Sequence, residues 1–379
     1  MKMKPLTAFC TLNMGQSPSS ETYNEEQKGL PFFQGNADFG KVHPQVRIWC
    51  SSPVKVAAVG DILISVRAPI GAMNIADVPC CIGRGLAALS PNSDVCLPEY
   101  LYYALRSRVA SLVAQGTGST FKAIGKKVLE DTYIPAYSLI EQQKISNALS
   151  ETDQLITKEN AQISLLDQLV KSRFVEMFGE PATNPMGWME TTVGRECYSI
   201  KDGPHVSLPD IGRENGGHPF ISVRNIVNHV IDFSTARYIS DEDFASARKK
   251  CCPQKGDMLY SKGGTTGIAK LIDVDVEFAN WVHLAVLKYD KGKLNGVFFE
   301  NMLNCDYCYR QSQKLTKGIA NRDLVLSAMA QIKMYRPPLE LQNRFAAFVA
   351  EVDKSKLAVK QSLEKLEMLK KSLMQEYFE

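Results

Sequence analysis

Cys305-Asp306-Tyr307-Cys308 is the one stretch with metal-ligand spacing. Two thiolates at this separation make half of a tetrahedral zinc site, which then needs a second pair of matching spacing. Cys80-Cys81 and Cys251-Cys252 are adjacent pairs and poor partners, so a buried or incidental thiol pair is the expectation. Lys262-Gly263-Gly264-Thr265-Thr266-Gly267 is glycine-rich, but Ile268 follows where a phosphate-binding loop requires Lys and Ser or Thr. It reads as a polar loop. Arg336-Pro337-Pro338-Leu339 lacks both the amide or acid and the aromatic ring that hold a target amino group in amino-methyltransferases. His205, His218 and His283 lie in unrelated contexts, and no Ser-His-Asp set can be assigned.

With the chemistry sparse, the elements that would position it carry more information. Leu139–Phe178 and Leu339–Phe378 fall into register at a shift of 200 residues. Gln142 lands on Gln342, Glu151 on Glu351, Asp153 on Asp353, Leu166 on Leu366, Leu169 on Leu369 and Phe178 on Phe378. A long-period self-match is the strongest organising signal a sequence can hold. In the first copy Leu149, Ile156, Ile163, Val170 and Met177 recur every seven residues; in the second Phe345, Val352, Val359, Leu366 and Leu373 do. Seven-residue spacing puts apolar side chains on one stripe that must be buried against a partner. No Gly or Pro interrupts either run. Each predicts one helix of about 60 Å, and the economical arrangement is an intramolecular coiled-coil pair. The expected seam is Leu149, Ile156, Ile163, Leu166 and Val170 against Val352, Val359, Leu363, Leu366 and Leu373, with Lys356 and Lys370 interrupting the second stripe.

Between these helices lie two segments of similar outline. Val59–Val66 is a turn feeding an apolar strand, and Lys255–Ser261 matches it. Cys80–Leu89 reads as a strand with a glycine-broken start. Pro98–Leu105 begins a helix with Pro in its first turn, and Asn295–Leu303 resembles it. Gly116–Lys122 and Lys317–Asn321 are polar loops, and Ile134-Pro135 and Tyr335-Arg336-Pro337-Pro338 deliver the chain to the long helices. The expected division is 1–137, 138–178, 179–338 and 339–379, two globular domains each followed by a long helix.

Bulk properties exclude little. Hydrophobic content of 45% and charged content of 22% are ordinary for a globular protein. No apolar run approaches a membrane span, and ten cysteines without a secretion signal point to a reducing cytoplasm. Net charge is +3, and the basic excess falls in the globular segments: 13 basic against 10 acidic residues in 1–137, 20 against 18 in 179–338. That distribution suits nucleic-acid contact by those segments without requiring it.

The ordered set has a family likeness. Gly60-Asp61-Ile62-Leu63-Ile64-Ser65, the second Gly256-Asp257-Met258-Leu259, Ile134-Pro135 leading to Glu141-Gln142-Gln143-Lys144-Ile145, and Leu166-Asp167-Gln168-Leu169 together resemble the specificity subunit of type I restriction–modification systems. The resemblance covers almost the whole chain. It departs at Leu341-Gln342-Asn343, where the Glu-Gln-Gln run is replaced. It implies an α+β protein: two mixed α/β target-recognition domains separated by two long antiparallel coiled-coil helices, a pseudo-twofold internal repeat. It further implies a non-catalytic subunit that reads a split, asymmetric site in double-stranded DNA. Two methyltransferase subunits using S-adenosylmethionine would dock on it, and an ATP- and Mg-dependent translocase–nuclease would join them. The chain itself would hold no cofactor or metal. A protein-binding coiled-coil adaptor and a self-contained nucleic-acid enzyme are the competing readings.

Residue chemistry and loop position then select candidate DNA contacts. Arg and Lys bond guanine, Asn and Gln adenine, and Ser or Thr phosphates. In the first segment the candidates are Ser17, Gln34, Asn36, Arg67, Arg84, Thr120 and Lys122. In the second they are Lys201, Arg224, Asn225, Lys262, Thr265, Thr266, Lys317 and Asn321.

Overall fold

Ile62, Leu63 and Ile64 are all wholly buried, and strand alternation explains how. Ile62 and Ile64 point into one core with Leu6, Tyr100, Leu101 and Ile134, while Leu63 points into another with Phe33, Ala57 and Ile82. The strand Ile62–Ser65 is thus covered on both faces, which is why it reads as a continuous apolar run. A computed structural model describes residues 2–118, 122–319 and 321–379. The chain forms two units, Met1–Asn160 with Lys360–Glu379, and Ala161–Val359.

In the first unit a four-stranded antiparallel sheet runs in the order Cys10–Met14, Leu86–Pro91, Ile62–Ser65, Met73–Ile75. A smaller sheet of five short strands includes Leu30–Phe33 and Cys80–Ile82, which pair in parallel with Phe32 opposite Cys81. Cys80–Leu89 is therefore two strands in two sheets, broken at Gly83-Arg84-Gly85. Met3–Pro5 pairs with Tyr133–Pro135, so the start of the chain lies beside the approach to the long helix. Pro98–Ala114 is a single 17-residue helix with Pro at its start.

The second unit repeats the main sheet in the same order: Cys197–Asp202, Leu284–Tyr289, Met258–Ser261, Ala269–Leu271. Its central strand alternates likewise, Met258 and Tyr260 into one core, Leu259 into another. Met189–Thr192 pairs with Lys333–Arg336, as Met3–Pro5 does with Tyr133–Pro135. Two features are its own. Asp241–Lys250 is a helix capped by the Ser240 hydroxyl, with acids in its first turn and bases in its last. Where the first unit has one helix, the second has two, Gly296–Asn304 and Asp306–Leu315, separated at Cys305.

Leu139–Phe178 and Leu339–Phe378 are each one helix of 40 residues. Within the first unit, Lys370 pairs with Asp153 and the Ser362 hydroxyl donates to Glu159 at 2.8 Å. One number rises as the other falls, so the two segments are antiparallel. In the second unit the Arg173 guanidinium lies 5.6 Å over the Phe348 ring, and Phe345 meets Phe174 and Phe178 at 5.4 and 5.5 Å, again antiparallel. Leu149, Val170, Val352 and Val359 are buried; Ile156, Ile163, Leu166, Leu363, Leu366 and Leu373 are half-buried. The two lysines that interrupt the stripe are matched by acids: Lys356 meets Asp167 at 2.7 Å, and Lys370 meets Asp153.

Candidate nucleic-acid interface

In the first unit, the loops at one end of the main sheet hold one another by backbone hydrogen bonds. The Arg84 amide donates to the Ser17 hydroxyl at 3.3 Å, and the Gly85 amide to the Gln34 carbonyl at 3.2 Å. A Cβ at Gly83 would stand 2.9 Å from the Gln34 Cα, and one at Gly85 2.4 Å from the Gln34 carbonyl oxygen. Only glycine lets the two backbones approach so closely, and the Arg84 side chain between them is left exposed. The cluster continues through the Val66 amide, which donates to the Gly85 carbonyl at 2.9 Å, and the Ala68 amide, which donates to Lys122 at 3.0 Å. Arg67 and Lys122, neighbours through this pairing, are both exposed, and Asn36 is half-buried on the turn after Gln34. Ser17, Gln34, Arg67, Arg84 and Lys122 thus share one connected set of loops. Thr120 lies outside the described residues.

The second unit builds the corresponding loops from the same bonds. The Lys262 amide donates to the His283 carbonyl at 2.8 Å, the Gly264 amide to Arg322 at 3.0 Å, and the Leu324 amide to Lys262 at 2.7 Å. Lys317 exchanges backbone bonds with Asp323. Thr265, Lys317 and Asn321 are exposed on this set; Lys201 and Arg224 are exposed on separate elements, the strand Cys197–Asp202 and the turn Val223–Asn225. The Arg224 guanidinium donates to the Thr235 carbonyl at 2.6 Å.

Three candidates have internal work instead. Lys262 is buried, its ammonium 2.8 Å from Asp323 and 3.7 Å from Asp202. Asn225 is buried; its carbonyl oxygen accepts from the Ser222 amide and its amide donates to Asp232 and Thr235, closing the turn. Thr266 is buried with its hydroxyl 3.0 Å from that of Thr316. Burial works against the charge of Asp202, but Lys250 at 2.8 Å and Lys262 outweigh it and hold its carboxyl below the usual aspartate range.

Sequence reasoning passed over Trp281, Arg237 and Arg322, and set His283 aside as an ordinary histidine. Trp281-Val282-His283 stands where the first unit has Gly83-Arg84-Gly85, judged by the shared bond to Val66 or Lys262. Its ring meets His283 at 4.8 Å, and Arg237 lies 5.7 Å over it. An aromatic ring with two basic groups close by suits stacking and phosphate contact. The available signal was a Trp in the turn between two strands, next to Asn280 and two residues before His283.

The model of the type I restriction modification DNA specificity domain matches residues 1–166 and again residues 205–368. This chain belongs to that family. The double match follows the structural repeat, one match starting in each globular segment. Among relatives of the family, a putative type I restriction enzyme MjaX specificity subunit of Methanocaldococcus jannaschii is 44% identical over 153 residues, 40% of this chain and 36% of that one. The chain therefore aligns with about a third of that relative's length. The MjaIX specificity subunit of the same organism is 26% identical over 78% of this chain and 71% of its own length. The S subunit of a type I restriction-modification system from M. genitalium matches in fold across 100% of this chain and 96% of its own, with a TM-score of 0.60 at 17% identity. Among the described residues of this specificity-family chain, no helix is long and apolar enough to cross a membrane, and no group of three or more ligands could hold a metal.

Proposed function

We propose that this chain is the non-catalytic DNA specificity subunit of a type I restriction–modification complex, reading a bipartite, asymmetric site in double-stranded DNA. The observation that carries this reading is the loop cluster at the same end of the same sheet in both units, joined by the same backbone bonds but carrying different side chains. Equal scaffolds with unequal surfaces are what two different half-sites require. In this reading residues 1–137 and 179–338 are the two target-recognition domains and the helices 138–178 and 339–379 hold them. Ser17, Gln34, Arg67, Arg84 and Lys122 face one half-site. Thr265, Lys317 and Asn321 face the other, joined by Trp281 and Arg322.

Two methyltransferase subunits and a translocase–nuclease dock on the chain in this reading, and S-adenosylmethionine, ATP and Mg belong to those partners in the cytoplasm. Leu169 and Leu369, equivalent in the repeat, are 46% and 48% exposed. An apolar residue left exposed at both equivalent positions supports two equivalent protein contacts. The test is genomic methylation mapping in cells with and without the gene. A methylated bipartite motif that vanishes with the gene supports the reading; an unchanged methylation pattern refutes it.

A further inference from the structure

The Cys305–Cys308 pair is not absorbed by DNA recognition, and the fold sets it apart from the other eight cysteines. Cys305 is the N-cap of the ten-residue helix Asp306–Leu315, and Cys308 is that helix's third residue. N-cap and third-residue side chains face each other across the first turn, the relation a capping box uses. The two differ in access. Cys308 is wholly buried in the core of the second unit, its thiol 3.5 Å from the Lys333 carbonyl. Cys305 is half-buried and lines a surface cavity of about 640 Å³ together with Lys171, Phe174, Glu180, Tyr307 and Arg310. Only Cys305 and Cys252 escape full burial among the ten cysteines, all of them free. A hydrogen bond from the Cys308 thiol, with the amides of Cys308 and Tyr307 adding to it, holds Cys305 below the ordinary thiol range despite burial. Cys308 is pushed well above that range by the same bond and by burial. Attack requires a thiolate with access, and a bridge requires a second thiol within reach.

We propose that Cys305 and Cys308 form a reversible dithiol–disulfide site that exchanges with low-molecular-weight disulfides entering through this cavity. The Cys305 thiolate attacks one sulfur of the small disulfide, forming a mixed disulfide and releasing one small thiolate. Cys308 then gives up its proton and attacks the Cys305 sulfur, releasing the second thiolate. The chain loses two protons and two electrons, and the small disulfide takes them up to become two thiols. The metal alternative lacks ligands, since no third His, Cys, Asp or Glu among the described residues completes a set with the pair.

The experiment equilibrates the purified full chain in buffers of rising oxidised-to-reduced glutathione ratio, quenches with acid, alkylates free thiols and maps cysteines by mass spectrometry. The expected result is a native Cys305–Cys308 bridge, its peptide lighter by two hydrogens, reversed by reduced glutathione, with Cys197 and Cys251, buried in the same unit, still free. Cys305→Ser should abolish the bridge, and Cys308→Ala should accumulate a glutathione mixed disulfide at Cys305. Full alkylation of both thiols at every ratio would overturn the proposal. So would a bridge that forms only together with oxidation of Cys197 and Cys251, because that marks unfolding of the second unit.

Discussion

Gln142 and Gln342 make the same three hydrogen bonds in their two units. The side-chain oxygen of Gln142 accepts from the Leu97 amide at 2.9 Å, and its nitrogen donates to the Val95 and Tyr137 carbonyls. That of Gln342 accepts from Asn295 at 2.8 Å and donates to Lys293 and Pro337. Leu97 and Asn295 each stand at the start of the helix that packs on the main sheet. Each wholly buried glutamine therefore ties a long helix to its globular segment through three bonds to backbone groups.

Gln142→Ala removes all three bonds at once. An ordinary hydrogen bond contributes about 0.5–1.5 kcal/mol, so losing three should cost roughly 2–4 kcal/mol. Gln342→Ala should lose a similar amount. Urea unfolding of both variants checks this, and a loss below about 0.5 kcal/mol in either would remove the role assigned to the pair.

Phe345 is fully buried between Phe174, Phe178 and Phe298 of the second unit. Phe345→Ala should cost about 3–5 kcal/mol through the cavity it leaves. The exposed Leu369→Ala should stay within roughly 0.5 kcal/mol. Differential unfolding of the two separates seam from surface.

Asp202 supplies a pH signature. Its folded carboxyl titrates below the ordinary aspartate value of about 3.9 because Lys250 and Lys262 outweigh its burial. A depressed value means that its stabilisation is present above that ordinary value and is lost as pH falls through the folded one. The melting curves of the wild type and Asp202→Asn should differ most above about pH 5 and draw together as pH falls below the ordinary aspartate value. A constant gap across that range would contradict the linkage.

Arg84→Ala removes an exposed guanidinium held out between Gly83 and Gly85. Loss of one good base contact is worth about 1–3 kcal/mol of discrimination, so sequence preference should relax in one half of the site. Lys262→Met should act differently. Its charge already faces Asp323 and Asp202, so the variant should lower the melting temperature and leave the salt dependence of DNA binding nearly unchanged. Competition binding with half-site variants, repeated at two salt concentrations, measures both.

The helices and the repeat were legible because a seam restricts residue choice at fixed intervals. The sheet order was not, because pairings such as Phe32 with Cys81 depend on contacts far apart in sequence. Cys80–Leu89 looked like one strand because apolar character continues across Gly83 and Gly85; only the close approach of Gln34 separates the two. The helix Asp241–Lys250 carried a readable cap and charge gradient but almost no apolar stripe to draw notice. Lys262, Asn225 and Thr266 looked like surface groups because their chemistry suits DNA. Their partners, such as Asp323 at 61 residues' distance from Lys262, are visible only in three dimensions.

The most direct test of two independent readers replaces residues 187–336 with the matching segment of a relative and maps genomic methylation in cells carrying the chimera. One half of the bipartite motif should change while the other half stays the same. A motif altered in both halves, or a continuous palindrome before and after the exchange, would contradict it.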